Sequence, residues 1–141
     1  MSIEGLSLTI EQFMEAATKA RTRAYVPYSG FAVGAVVLDA QGQLHHGCNV
    51  ENAAYGPTNC AERTALFRAI ADGCQAGEFR AVAVIGETDQ PITPCGVCRQ
   101  VLAELCKPDM PVILGNMQGD YRVTTVSELL PGAFTSKDLN I

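Results

Sequence analysis

Charge is scarce in this chain. Its 141 residues carry 10 basic and 15 acidic side chains, so charged residues make up 18% of the total and the formal net charge is −5. Soluble domains usually reach about 25% charged residues. A small protein below that level is suited to hiding part of its surface in an oligomer. There is no basic excess and no run of like charges, so nothing attracts a phosphate backbone over a broad surface. Long nucleic acid is thereby disfavoured as substrate or partner, and small neutral molecules fit better. Long apolar runs are missing too. No stretch approaches the ~20 apolar residues of a membrane span. Met1 to Thr9, with Glu4 early, lacks the apolar core of a secretory signal. The expectation is a cytoplasmic protein with no membrane partner. Repeats, low-complexity segments and linkers are also absent, and the length fits one domain over residues 1–141 with a modest core.

The chain does have six cysteines. In a reducing compartment they suggest metal binding or catalysis before disulfides. Their setting follows from the pattern around them. Thr9 can cap a first helix, with Gln12 three residues on as capping-box partner, and Ile10, Phe13, Met14, Ala17 and Ala20 recur at helical spacing. That helix must end by Val26, before Pro27. Phe31 to Leu38 reads as a strand, Asp39 to Gly42 as a turn and Gln43 to Val50 as the return strand, with His45 and His46 expected exposed near the turn. Cys60 to Ala71 reads as a helix capped by Thr58 or Asn59 and closed at Gly73. Ala81 to Gly86 is a short buried strand. Thr93 can cap a third helix with Pro94 at its first position, running to about Leu105. Val112 to Gly115 and Tyr121 to Val126 are strands about a turn at Gln118 to Asp120, and a last short helix runs from Val126 to Leu130. The order α-β-β-α-β-α-β-β predicts an α/β fold, a mixed sheet with helices packed on its faces. Leu66, Phe67, Ile70, Val101, Leu102 and Leu105 are expected in its core.

Cys60-Ala61-Glu62 and Pro94-Cys95-Gly96-Val97-Cys98 each open a predicted helix. Helix N-termini carry unpaired N–H groups and partial positive charge, and both favour the thiolate, the form that binds metal. Cys60, Cys95 and Cys98 brought side by side suit Zn²⁺, with the fourth tetrahedral position left for water. Glu62 is the candidate general acid–base. Residues two apart do not share a helix face, so Glu62 is expected to meet the water beyond the helix end. Three thiolates and one Zn²⁺ sum to −1. Arg63, three residues after Cys60 and on its helical face, can donate to thiolate sulfur and withdraw some of that charge. A lone C-x-x-C is a weak signal. C-A-E followed by P-C-x-x-C, both at helix starts, is a strong one and matches the three-cysteine form of the zinc-deaminase signature.

With Gly47 to Tyr55 (GCNVENAAY), Cys60 to Ala65 (CAERTA) and Pro94 to Val101 (PCGVCRQV), the chain resembles the homotetrameric class of cytidine deaminases. Pro27-Tyr28-Ser29, Phe31 to Ala35 (FAVGA) and Leu129 to Phe134 (LLPGAF) extend the resemblance over nearly the whole length. It implies a mixed five-stranded sheet with helices on both faces. It implies zinc on Cys60, Cys95 and Cys98, and Glu62 as proton shuttle in deamination of cytidine and deoxycytidine, a step of pyrimidine salvage. Asn49 and Glu51 would bind the sugar hydroxyls, Phe31 would pack beside the pyrimidine, and the Ala61 backbone would help hold the base. Pockets would be shared within a homotetramer, with Ala53, Tyr55 and Phe134 supplied by neighbouring subunits. The stretch Gly56 to Asn59 is variable in the family, which leaves that loop's shape open. The sugar contact also has a local reason: Asn49-x-Glu51 places amide and carboxylate on one face of a strand end.

Three other readings compete. A deaminase of another cytosine nucleoside such as blasticidin S shares both cysteine motifs, but Glu51 argues for a site built to bind sugar hydroxyls. A thiol oxidoreductase would use Cys95 and Cys98, yet the chain has no Trp, Thr93-Pro94 precedes the pair, and Cys60-Ala61-Glu62 goes unexplained. A closed structural zinc site needs a fourth protein ligand. Cys48, Cys74 and Cys106 read instead as small buried or half-buried residues.

Overall fold

The computed structural model describes residues 1–140; Ile141, where the expected domain ends, lies outside the described residues. Local signals start the fold. The Thr9 hydroxyl accepts from Gln12 N at 3.1 Å, and the Gln12 side chain accepts from Thr9 N at 2.8 Å, which is the expected capping box opening α1 (Ile10–Arg21). A cap of this kind contributes about 1 kcal/mol. β1 (Val33–Asp39) turns into β2 (Leu44–Cys48) around Asp39, whose Oδ1 accepts from Gln41 N and Gln43 N, both at 2.9 Å. Then follow α2 (Ala61–Ala71), β3 (Phe79–Gly86), α3 (Gly96–Leu105), β4 (Pro111–Asn116), β5 (Tyr121–Thr125) and the one-turn helix α4 (Val126–Leu129). A 3-10 turn, Ser136–Leu139, lies beyond the predicted elements.

The five strands make one sheet in the order β2-β1-β3-β4-β5. β3 and β4 are parallel and the other pairs antiparallel, so the sheet is mixed, as expected. Side chains alternate between faces along a strand. Val33, Ala35 and Val37 of β1 pack with Ala65 and Leu66 of α2 and Leu102 of α3. Val36 and Leu38 pack on the opposite face with Phe13 and Ala17 of α1. Strands covered on both faces need apolar residues throughout, which accounts for the unbroken runs in β1 and β3.

Two glycines set the approach of helix to sheet. A Cβ on Gly34 would lie 2.0 Å from Ala17 O, and one on Gly47 would lie 2.4 Å from Ala65 N and 2.5 Å from Ala61 O. Bare Cα atoms there let the backbones of α1 and α2 rest directly on β1 and β2. At one end of the sheet, Gly34 pairs with Cys48, the last residue of β2, and Val33 pairs with Gly86, the last residue of β3. The chain therefore leaves β2 and β3 at the same end and enters α2 and α3 from there.

Several boundaries and faces differ from expectation. Cys60 and Cys95 themselves occupy the cap positions of α2 and α3, with extended backbone, in place of Thr58 or Asn59 and of Thr93-Pro94. The Cys95 sulfur accepts from Cys98 N at 3.4 Å, which fixes the start of α3 at Gly96. Phe31 and Ala32 stay outside β1, and the Ala32 carbonyl accepts from Arg21 Nε at 2.9 Å instead of joining the ladder. Phe67 and Ile70 are 46% and 37% exposed, because α2 turns Ala61, Ala65, Leu66 and Ala69 to the sheet. Val101 and Leu105 are half-buried at the core margin. His45 is buried, with its Nε2 2.8 Å from Asp39 Oδ2.

Candidate active site

The two helix starts that meet at this end of the sheet bring together Cys60, Cys95 and Cys98, whose sulfurs all lie within 4.8 Å of one another. Cys60 caps α2, Cys95 caps α3 and Cys98 lies in the first turn of α3. The Cys60 and Cys95 sulfurs are 3.6 Å apart. A tetrahedral zinc with Zn–S bonds of about 2.3 Å requires sulfurs about 3.8 Å apart. All six cysteines are free thiols, so no disulfide competes for the cluster. The Cys60 thiol is held down to about 5, first by a hydrogen bond from Cys98 and then, against the opposing effect of burial, by Arg63 and Cys95. Cys98 is pushed up by that same bond, by burial and by the charge of Glu62. No fourth donor joins the group among the described residues, which leaves a tetrahedral position open. Cys48 is half-buried and Cys106 buried, its thiol pushed up by burial to about 12.

Glu62 and Arg63 complete the first turn of α2. Glu62 is only 4% exposed. Burial pushes its carboxyl up to about 7, and the charge of Cys60 adds to the rise. A carboxyl at that value exchanges protons in either direction near neutral pH. Arg63 Nη2 donates to Cys60 Sγ at 3.3 Å, as its spacing predicts. Its Nε is buried and has no partner among the described residues. Three thiolates, one Zn²⁺ and this guanidinium sum to zero (−3 + 2 + 1), so the donor set, its spacing and its charge balance all fit zinc.

The remaining candidates surround this cluster unevenly. Ala61 is fully buried at the first position of α2. Asn49 Oδ1 accepts from Val33 N at 2.9 Å and its Nδ2 donates to the Phe31 carbonyl at 2.8 Å, so Asn49 braces the segment that carries Phe31. Glu51 Oε1 accepts from Tyr28 N and Ser29 N at 3.0 and 3.1 Å, and its Oε2 accepts from the Ser29 hydroxyl. Those bonds hold the Glu51 carboxyl below its ordinary value. Glu51 and Tyr55 line a cavity of about 410 Å³ beside Tyr28, Ser29 and Thr58. Ala53 is exposed, and Tyr55 and Phe134 are 74% and 57% exposed. Tyr55 also takes a left-handed backbone, φ 59°. Sequence reasoning gave no role to Ser29, which carries Glu51, nor to two residues that fasten the end of the chain. Gln100 Nε2 donates to the Phe134 carbonyl at 2.8 Å, and Arg99 donates to the carbonyls of Pro94 and Leu129, both at 2.9 Å. Both directly follow Cys98, but most of their partners lie some thirty residues away, where no local pattern reveals them.

Paired helix starts that gather three thiols beside a buried carboxylate define a zinc-thiolate hydrolase built on a mixed sheet. Comparison with known proteins narrows that class. The family model for the cytidine and deoxycytidylate deaminase zinc-binding region matches residues 8–114, and the chain belongs to that family. A cytidine deaminase of Sporosarcina psychrophila is 53% identical over 94% of this chain and 96% of its own length. One from Halalkalibacterium halodurans is 55% identical over 92% and 97%. The 1.6 Å crystal structure of a cytidine deaminase from Burkholderia pseudomallei superposes with a TM-score of 0.89 at 59% identity, covering 90% of this chain and all of that one.

Proposed function

We infer that the chain is a zinc-dependent cytidine deaminase, hydrolysing cytidine and 2'-deoxycytidine to uridine and 2'-deoxyuridine, and that residues 1–141 act as one catalytic domain. The observation that carries this reading is the buried Glu62 two residues from the cap thiol of a three-cysteine cluster, in a chain more than half identical to cytidine deaminases along nearly its whole length. The same relatives disfavour a blasticidin S deaminase.

Cys60, Cys95 and Cys98 hold the metal. When bound, zinc supplies the Lewis acidity that makes water a nucleophile near neutral pH. Glu62 takes a proton from the water that adds to C4 of the pyrimidine and passes it to N3. It then delivers the second proton to the exocyclic amine, so that the C4–N bond breaks and ammonia leaves. Arg63 shares the charge of the Cys60 thiolate. The Ala61 backbone, at the helix start, holds the base beside Phe31. Asn49 and Glu51 meet the sugar hydroxyls from the strand end.

Ala53, Tyr55 and Phe134 complete a neighbour's pocket in a homotetramer. Their exposure, together with that of Phe67 and Ile70, supports burial in an assembly. An active monomer in sedimentation would overturn the shared pocket. No described helix is long and apolar enough to cross a membrane, and the enzyme's place is cytoplasmic pyrimidine salvage.

The test is a spectrophotometric assay with cytidine, run beside Glu62→Ala and a zinc determination. The expected result is loss of cytidine absorbance with ammonia release in the wild type. The variant should keep its zinc and lose turnover by roughly 10²- to 10⁴-fold. A zinc-loaded wild type that ignores both nucleosides would overturn the substrate.

A further inference from the structure

The end of the sheet away from the cysteine cluster holds a second group of metal-binding side chains. Asp39 closes β1, His45 lies near the start of β2, and Cys74 follows the end of α2. Their ligand atoms all lie within 4.8 Å of one another. His45 Nε2 is 2.8 Å from Asp39 Oδ2, Cys74 Sγ is 3.6 Å from His45 Nε2, and Cys74 Sγ is 3.7 Å from Asp39 Oδ2. In a tetrahedral zinc site the N···O edge is about 3.3 Å and the edges to sulfur about 3.5 Å. The triangle already present is close to that frame. Asp39 stands six steps along β1 from Val33, which at about 3.3 Å per residue puts this group about 20 Å from the Val33 end of the strand, the end at which the chain enters α2 and α3. It is a separate site, with α2 carrying one cluster at each end.

We propose that Asp39, His45 and Cys74 form a second metal site that takes a divalent transition-metal ion, with Zn²⁺ best suited to its mixed oxygen, nitrogen and sulfur donors. The convergence of the donors separates this reading from a nucleophilic relay. In a thiol–imidazole–carboxylate relay, the thiol and the carboxylate use opposite ring nitrogens. Here both approach the same atom, His45 Nε2, so the three donors surround one point. The turn after β1 orients Asp39. Its Oδ1 accepts two backbone N–H groups there, which leaves Oδ2 facing His45 and Cys74. Supporting groups that fix a ligand in this way are typical of metal sites. A thiolate, a carboxylate and a neutral imidazole balance a 2+ ion to zero, which suits a buried site. The group borders a cavity of about 350 Å³ that Asp72 and Glu78 also line, and no lysine or arginine lines it. The field is therefore favourable to a cation. The metal displaces the thiol proton that Cys74 now directs at Asp39, so binding releases protons and tightens as pH rises.

The test titrates the zinc-loaded enzyme with Co²⁺ and follows the near-ultraviolet thiolate-to-cobalt absorption, with zinc content read in parallel. The wild type should take up one further equivalent of cobalt per chain without losing zinc. Cys74→Ala should lose that uptake and its absorption while keeping cytidine turnover. His45→Gln, which can still hydrogen-bond to Asp39, should weaken uptake at least tenfold and serves if the cysteine variant fails to fold. No further equivalent in the wild type, or an absorption that persists in a folded Cys74→Ala protein, would overturn the site.

Discussion

Gly47→Ala adds one methyl group to β2, yet it should disable the enzyme through α2. The new Cβ would lie 2.4 Å from Ala65 N, 2.5 Å from Ala61 O and 2.8 Å from Ala65 Cα. All three are backbone atoms of a regular helix, so no side chain can swing aside. Ordinary contact begins near 3.4 Å, and restoring it moves α2 about 1 Å off the sheet. Overpacking of this kind costs about 1–3 kcal/mol of stability. The same movement carries Cys60 away from Cys95, now 3.6 Å from it, and shifts Glu62. A misplacement of about 1 Å at reacting groups costs about 10²-fold in rate. The expected result is a lowered urea midpoint, weaker zinc retention and a turnover reduced by about 10²-fold in whatever zinc-loaded enzyme remains. Gly96→Ala is the control: nothing lies within 4 Å of its added Cβ, and residue 96 opens α3 without a positive φ. It should be neutral or slightly stabilising. A Gly47→Ala enzyme with wild-type midpoint, zinc and turnover would refute the close-packing argument.

Removing the Arg63 guanidinium should lower turnover of the zinc-loaded enzyme roughly ten- to a hundredfold, the equivalent of about 1.5–3 kcal/mol for a hydrogen bond to a charged group. KM for cytidine should change little, and unchanged turnover in Arg63→Ala would leave Arg63 as packing alone. Stability should also fall in acid through Asp39. Burial works to raise that carboxyl, but hydrogen bonds from His45 and from the N–H groups of Gln43 and Gln41 outweigh it and hold the folded value below the ordinary one. Asp39 therefore contributes stability that is fully present above its unfolded value of about 3.9 and is lost as pH falls through the folded value. The difference in urea midpoint between wild type and Asp39→Asn should shrink below about pH 4; a difference that stays constant down to about pH 2 would remove Asp39 from the acid transition.

The sequence disclosed what is local or chemically unusual. Thr9 and Gln12 stand three apart and find each other without help from the rest of the chain, so the start of α1 could be read directly. The thiol cluster could be read because C-A-E and P-C-x-x-C at helix starts leave few other uses for such residues. The exact starts of α2 and α3 could not. Cysteine is not a usual cap, and the polar residues just before each cluster looked like better ones. His45 looked like an exposed hairpin residue because the group that helps cover it, Cys74, arrives 29 residues later in the chain. Gly47 stood in the sequence only as the first residue of a family motif, since a close approach by a helix cannot be told from a flexible position until the helix is in place.

Apolar spacing in α2 misled for a different reason, and the reason bears on function. Ala61, Ala65 and Ala69 are small and lie against the sheet, where Gly47 lets the helix backbone come close. The large residues Phe67 and Ile70, three apart and so on one face, are left outward. A helix facing water alone would place its bulk inward and its small or charged residues outward. Leu66 is the one large apolar residue that α2 turns inward, so its mostly alanine inner face suits close approach, which holds Cys60 against Cys95, while Phe67 and Ile70 suit the outer face to contact with another surface. The low charge of the chain points the same way. In the homotetramer we propose, both faces of α2 would serve at once, the inner one to set the thiols and the outer one to seat the neighbour. Loss of assembly should then reach the chemistry through the same helix.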